Sequence, residues 1–168
     1  MSETEAMHLD LCISFLKEIG ISIILAKTDG EDFLPGLSIR RGHLIIDKEN
    51  LLYPGDILHE AAHIAVVPAA ERNTLDAVTI AARPQREAEE MCAITWSYAA
   101  AMHLGLPAEF VFHDGGYKGG GNNLAENFKE GRFIGLPMLQ WIGLTADAKN
   151  AASLNVMPYP GMLKWLRD

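Results

Sequence analysis

The segment ILHEAAHIAV, residues 57–66, constrains the fold more than any other part of the chain, because it places ionisable side chains within an apolar stretch. Helical spacing sets His59 and His63 one turn apart, with Cβ atoms about 5–6 Å from each other. The side chains around them are uncharged, and buried polar groups need partners. The pattern therefore predicts a buried helix that turns one polar stripe towards an interior site.

The two histidines and Glu60 form the pattern H-E-x-x-H, whose residue types suit a catalytic metal centre. Two neutral imidazoles are good zinc ligands and leave room for a third protein group and a water molecule. Glu60 lies about a quarter turn from His59, where its carboxylate can take a proton from water without binding the metal. We therefore expect His59 and His63 to be metal ligands and Glu60 to be the general base. The alternative is a core helix whose histidines hydrogen-bond to the backbone.

The third ligand is expected from the hydrophobic helix that follows, REAEEMCAITWSYAA, which begins with three glutamates. Glu87, Glu89 and Glu90 each continue into an apolar helix face, so all three are candidates. An acidic first turn also complements the helix dipole, which accounts for at least one of them. Glu90 is preferred over Glu89, and both over Glu87. A glutamate here would complete the set of two histidines and one glutamate that is typical of catalytic zinc.

HEAAH after a predicted hairpin, followed by the helix EMCAITWSYAA with its acidic start, resembles the ImmA/IrrE-like metallopeptidases over roughly residues 5–105. The asparagine of the family's second helix is missing here. The resemblance implies a zincin-like fold of gluzincin type, with zinc held by His59, His63 and, by spacing, Glu90, and with Glu60 as the catalytic glutamate. Family members resemble proteases that cleave helix-turn-helix repressors. We recognise no fused helix-turn-helix in this chain, so such a target would be a separate protein.

A glycine-rich stretch, FHDGGYKGGGNN at residues 112–123, has three interpretations. His113, Tyr117 or Lys118 could reach the rim of the metal site, where Tyr117 would stabilise the oxyanion as water adds to a carbonyl. Anion binding by the glycines is disfavoured, because the lysine–serine pair of a phosphate loop is missing. The third interpretation is a plain loop in which His113 caps a helix end. The candidate catalytic residues are therefore Glu60 and Tyr117.

The predicted elements run from a helix through strands to packed helices, an order typical of an α+β domain with a small sheet. A helix is expected over residues 3–19, a buried strand over 21–26 and a hairpin that turns at Arg41-Gly42. Further helices are expected over residues 53–68, 85–105, 124–131, 137–144 and 160–167, with a connector over 69–84. The 168 residues suit one domain, in which residues 106–168 form a C-terminal helical extension.

The acidic composition limits the classes of partner. A net charge of −8 and a pI near 5.2 argue against nucleic acid and anionic membranes, because both require clustered cations. The N-terminus lacks the features of a signal peptide, and no apolar run reaches the roughly 18 residues of a membrane span, so we expect a cytoplasmic protein. Cys12 and Cys92 are predicted to be reduced core residues.

Together these features predict a Zn²⁺-dependent metallopeptidase that acts on a protein or peptide, for example a transcriptional repressor. Two alternatives remain open. One is the hydrolysis of a small amide, which would need a closed cavity instead of an open groove. The other is a non-catalytic module that keeps the fold for metal binding or protein interaction. Nothing in the sequence indicates an oligomeric state.

Overall fold

The computed structural model describes residues 2–28 and 34–168, with the side chain of Lys118 excepted. Helix α1 is followed by strands β1 to β3: α1 Glu3–Glu18, β1 Ile23–Leu25, β2 Leu37–Arg40 and β3 His43–Ile46. Helices then follow in the described part of the chain: α2 Asp56–Ala65, α3 Ala77–Ala81, α4 Arg86–His103, α5 Ala108–Val111, α6 Gly121–Lys129, α7 Leu136–Trp141 and α8 Ala148–Leu154. Short 3-10 helices lie at Ala69–Thr74 and Tyr117–Gly119. The predicted α+β class is confirmed.

The small sheet has the strand order β1-β3-β2, with β1 parallel and β2 antiparallel to β3. The predicted hairpin is confirmed. Its turn residues, Arg41 and Gly42, have φ of 50° and 73°, the left-handed conformations that a two-residue type I′ turn requires. The prediction of a buried strand over residues 21–26 is wrong in its extent and burial. Strand β1 has three residues at the edge of the sheet, where Ile24 and Leu25 are exposed because β3 takes the central position.

The first helix and the two central helices follow their sequence signals. In α1, the side chains of Ser2 and Glu5 form a reciprocal capping box, as their spacing indicates. Helix α4 is confirmed, and it is buried from Cys92 to Ala101 after its acidic first turn. Helix α2 is shorter than predicted, because it starts at Asp56 and the preceding proline lies outside it.

Helices α2 and α4 pack against each other more extensively than any other two elements of the described chain. Both contribute small, fully buried side chains to the core: Ala61, Ala62 and Ala65 from α2, and Ala93, Ala100 and Ala101 from α4. Small side chains let helix axes approach closely. The close approach brings the polar side chains of the two helices within reach of one another.

The C-terminal part differs most from its prediction. The closing helix predicted over residues 160–167 is wrong, because this segment contains no helix. Its backbone pairs with distant parts of the chain instead: the amide of Arg167 donates to the carbonyl of Ala65, and Trp96 Nε1 donates to Trp165 O at 2.9 Å. The short helices α6 and α7 are confirmed, whereas α5 and α8 are not predicted from the sequence.

One cluster of buried hydrophobic side chains extends from Leu9 to Tyr159, so the C-terminal helices share a core with the N-terminal ones. Cys12 and Cys92 are buried in it and form no disulfide, as predicted for core residues. Burial raises the pKa of Cys92 to about 11, which leaves the thiol protonated and a poor metal ligand at neutral pH. Within residues 2–28 and 34–168, no helix combines the length and the apolar character that a membrane crossing requires.

Candidate metal centre

One stripe of α2 carries four ionisable side chains, Asp56, His59, Glu60 and His63, all of which are mostly buried but reach the solvent. Their spacing of three or four residues places them on one face of the helix. The other face is apolar and buried, from Ile57 to Ala65. The division predicted from the sequence is therefore present: one face packs into the core, and the other lines a site that solvent can reach.

The carboxylate of Glu90 comes from α4 and faces both histidines. Its Oε1 lies 3.4 Å from His59 Nε2, and its Oε2 lies 3.4 Å from His63 Nε2. One ligand atom from each of these three residues lies within 4.8 Å of the other two. The histidine side chains are 14% and 13% exposed, whereas the Glu90 side chain is 45% exposed. The cluster is thus open to solvent on the side of Glu90.

The spacings within this cluster are compatible with a metal site. Each contact of Glu90 is longer than the usual length of about 2.7–3.2 Å of an N–H···O hydrogen bond. Two ligand atoms that each lie about 2.0–2.1 Å from a tetrahedral ion are about 3.4 Å apart. Each histidine nitrogen lies at this distance from a different carboxylate oxygen of Glu90. The three side chains therefore converge closely enough to share one ion, and the described residues add no fourth ligand to the group.

The neighbouring glutamates are placed differently. Glu89 points to Arg83, whose guanidinium binds its two carboxylate oxygens at 2.6 and 2.8 Å. The same guanidinium also donates to Glu71 at 2.8 Å. Glu87 is exposed. Of the three glutamates that the sequence leaves open, the structure brings only Glu90 to the histidines.

The surroundings of Glu60 raise the pKa of its carboxyl group. Burial raises its pKa to about 7, with the negative charges of Asp56 and Glu90 acting in the same direction and the charge of His59 opposing them. A group with a pKa near the operating pH can both take and return a proton, which is the property required of a general acid–base catalyst. The electrostatics are therefore compatible with the role predicted for Glu60.

The two histidines differ in their proton affinity. Burial, together with the charge of His59, lowers the pKa of His63 to about 4, so its ring is neutral at neutral pH. Burial also opposes the charging of His59, but the carboxylates of Glu90, Glu60 and Asp56 outweigh it and raise the pKa of His59. Protons therefore compete with a bound cation for His59 at higher pH than for His63, whose ring offers a free lone pair at neutral pH.

The second ring nitrogen of His59 faces Tyr117. The Tyr117 hydroxyl forms a 3.3 Å hydrogen-bond contact with His59 Nδ1. The hydroxyl can accept the Nδ1–H of His59 or donate to Nδ1, according to the tautomer of the ring. The tautomer in which Nδ1–H donates to Tyr117 leaves Nε2, the nitrogen that faces Glu90, free to bind a metal ion.

The structure therefore places the Tyr117 hydroxyl beside His59, at the rim where the sequence interpretation put this loop. The stabilisation of an oxyanion by Tyr117 stays a prediction. Burial, reinforced by the nearby carboxylates, raises the pKa of its hydroxyl, which keeps the group protonated. The side chain of Lys118, also considered for the rim, lies outside the described part of the structure.

Asp56, the first residue of α2, is part of the site although the sequence did not indicate it. His113 Nε2 lies 2.7 Å from Asp56 Oδ1, and the ring of His113 stacks on Tyr53 with centroids 3.9 Å apart. The available signal was positional, because Asp56 lies three residues before His59 on the same helix face. His113 comes from a distant loop, and no spacing in the sequence points to this contact.

A cavity of about 240 Å³ lies on the other side of α4, lined by Glu89 and Cys92 and by the exposed Trp141. Its lining includes none of His59, His63 and Glu90. This cavity is therefore separate from the candidate metal centre.

Comparisons with protein-family models, with curated proteins and with solved structures give no match for this chain. The resemblance to the ImmA/IrrE-like metallopeptidases therefore stays a prediction that rests on the residues themselves.

Proposed function

We propose that this chain is a zinc-dependent metallopeptidase, with zinc held by His59, His63 and Glu90 and with Glu60 as the general base. The observation that carries the proposal is the convergence of one ligand atom each from His59, His63 and Glu90 to within 4.8 Å of one another, a donor set typical of catalytic zinc. In this proposal the helices form a zincin-like fold of gluzincin type. The α2–α4 pair would supply the ligands, and the β2–β3 hairpin would precede them.

The composition of the cluster favours a catalytic site over a structural one. Structural zinc is enclosed by four protein ligands, whereas catalytic zinc has three and keeps a position open. Here the described residues supply three, and the half-exposed side chain of Glu90 marks the open side. Nitrogen and carboxylate donors without cysteine also match the catalytic class of zinc sites.

A bound Zn²⁺ supplies a Lewis acid that polarises a carbonyl and makes water a stronger nucleophile. Glu60 stands on the same helix face and takes the proton of the attacking water. As the amide bond breaks, Glu60 returns that proton to the leaving amine. Its pKa, raised to about 7 mainly by burial, suits both transfers. His59 holds its Nε2 lone pair in place through the hydrogen bond of its Nδ1 with Tyr117.

A peptide bond within a protein or an extended peptide is the substrate that fits best. The ligand side chain of Glu90 is 45% exposed, so a chain can approach from solvent without entering a closed cavity. A regulatory protein such as a transcriptional repressor is the substrate that the family resemblance implies. The small-amide and non-catalytic alternatives are decided by the same experiment.

The experiment compares the wild type with Glu60→Gln, which keeps the size of the side chain and removes its basicity. Zinc content, cleavage of a complex peptide mixture (read by mass spectrometry of new termini) and hydrolysis of a set of small amides are measured on the same samples. We expect Glu60→Gln to keep one zinc per chain and to lose hydrolysis by about 10²–10⁴-fold. His63→Ala should lose both zinc and hydrolysis, and His43→Ala, at a histidine bonded to Ser22, is the matched control.

Metal retention with undiminished cleavage in Glu60→Gln would contradict the assigned base. A wild type that binds one zinc per chain but cleaves neither peptides nor small amides would favour the non-catalytic module. Cleavage of small amides alone would assign the second enzymatic alternative.

A further inference from the structure

The glycine-rich loop after α5 touches the metal-site face of α2 at two points. Near its start, His113 Nε2 lies 2.7 Å from Asp56 Oδ1. Further along, the Tyr117 hydroxyl lies 3.3 Å from His59 Nδ1. Asp56 and His59 are three residues apart on α2, so the two contacts lie on successive turns of one helix face. The loop therefore covers the first half of the face that carries the histidine pair.

The contact with Asp56 has a defined direction. His113 Nδ1 is buried and has no hydrogen-bond partner within the described residues. A buried N–H without an acceptor costs more than a bare lone pair, so the proton of the ring belongs on Nε2. His113 then donates from Nε2 to the Asp56 carboxylate, and Tyr53 stacks on the ring and fixes its plane. The ring has one polar partner, and that partner is on the metal-site helix.

The loop can lie this close only because it contains glycine. A Cβ atom on Gly115 would collide with the ring of Tyr53, and one on Gly121 would collide with the carbonyl of His113. Between them, Tyr117 has a φ of 51°, a left-handed conformation that a tyrosine rarely adopts. Backbone strain of this kind persists only where the surroundings enforce it. The contact of His113 with Asp56 and the contact of the Tyr117 side chain with His59 hold the loop in this conformation.

We propose that Asp56 and His113 are a positioning pair: they anchor the glycine-rich loop so that the Tyr117 hydroxyl meets Nδ1 of His59 and orients its ring for zinc. The inference rests on the proposed zinc centre and assigns a role to two residues that neither bind the metal nor touch the reacting atoms. Outer-shell partners of this kind change metal affinity by about 10–100-fold when they are removed. His113 acts through Tyr117, so its effect belongs at the lower end of that range.

The test measures the zinc dissociation constant of full-length variants by competition with a chromophoric chelator, together with thermal unfolding of the zinc-free proteins. His113→Phe keeps a ring against Tyr53 but has no donor for Asp56. His113→Gln restores an N–H donor at a similar reach. We expect His113→Phe to weaken zinc binding about tenfold and His113→Gln to stay within about threefold of the wild type. Of these two variants, only His113→Phe should differ from the wild type in the visible spectrum of the Co²⁺-loaded protein.

A double-mutant cycle with Tyr117→Phe tests the route of the effect. If His113 acts through Tyr117, the double variant His113→Phe/Tyr117→Phe binds zinc no more weakly than Tyr117→Phe alone. Losses that multiply in the double variant would overturn the proposal, as would a zinc affinity of His113→Phe equal to that of the wild type. A wild type that binds no zinc would overturn the proposed function together with this inference, whereas a wild type that binds zinc no better than His113→Phe would overturn this inference alone.

Discussion

Glu89 and Glu90 are neighbours in α4, yet their carboxylates lie in opposite kinds of environment. Glu89 is 12% exposed and accepts two hydrogen bonds of 2.6 and 2.8 Å from Arg83. Glu90 is 45% exposed and faces two imidazole nitrogens at 3.4 Å. The Glu89 carboxylate lies at the length of a charge-assisted hydrogen bond from its partner. The Glu90 carboxylate lies farther from its partners, at a distance that is also found between two ligands of one cation.

In the proposed zinc centre, one helix carries a carboxylate held by an ion pair directly beside a carboxylate that binds the metal. The guanidinium of Arg83 binds both oxygens of Glu89, and Glu71 shares the same cation. The partners of Glu90 are His63, whose pKa is lowered mainly by burial, and His59, whose pKa the surrounding carboxylates raise against the effect of burial. Glu89 therefore has a strong cationic partner in the protein itself, whereas Glu90 faces two imidazole rings.

The largest effect that we expect is a difference in zinc affinity between a variant of Glu90 and a variant of Glu89. Glu90→Ala removes a ligand, so we expect its zinc dissociation constant to rise by at least about 100-fold, the upper limit for outer-shell changes. Glu89→Gln should bind zinc within about threefold of the wild type, because its partner is Arg83. Both constants are measured by chelator competition. Equal losses in the two variants would remove the distinction between them.

The converse comparison concerns the stability of the zinc-free protein. Glu89→Gln leaves the mostly buried Arg83 with one acidic partner fewer, so we expect a loss of about 1–3 kcal/mol in the free energy of unfolding. Glu90→Gln should change this free energy by less than about 1 kcal/mol, because Glu90 is half-exposed. Denaturant unfolding of zinc-free samples checks both values. A larger loss in Glu90→Gln would make Glu90 the structural residue of the two.

A smaller effect comes from pH. Although burial opposes its charging, the surrounding carboxylates raise the pKa of His59, so a proton competes with zinc at higher pH than for an ordinary histidine. With a pKa of about 4, His63 stays neutral over most of the acid range. Below the pKa of His59, the zinc dissociation constant should therefore rise about tenfold per pH unit.

Titration in a Glu60→Gln background isolates this effect, because the carboxyl of Glu60 has a pKa of about 7, raised mainly by burial. We expect the pH dependence to persist in that background. A dissociation constant that does not change between about pH 7 and pH 5 would contradict the assignment of His59 as a ligand.

The sequence predicts the half of the site that local geometry determines. The pairing of His59 with His63, and the position of Glu60 beside them, follow from helix periodicity alone. The choice among Glu87, Glu89 and Glu90 does not, because all three precede apolar helix faces. The choice depends on Arg83, which lies in the loop before α4 and binds the carboxylate of Glu89.

Like the site, the fold is predicted from the sequence only where local signals determine it. The α1 capping box and the Arg41-Gly42 turn are local signals, and both are present. The closing helix predicted over residues 160–167 fails, because long-range hydrogen bonds such as that from Trp96 Nε1 to Trp165 O hold this segment in a non-helical conformation. The contact of His113 with Asp56 is likewise long-range, across 57 residues, and no local pattern predicts it.

The most direct test of the zinc centre is an anomalous difference map recorded at the zinc absorption edge, from crystals of the wild type grown with zinc. We expect one peak per chain, about 2.0–2.2 Å from Nε2 of His59, Nε2 of His63 and a carboxylate oxygen of Glu90. A map without a peak at these three residues, or with its peak at Glu89 or at a cysteine, would contradict the proposed zinc centre.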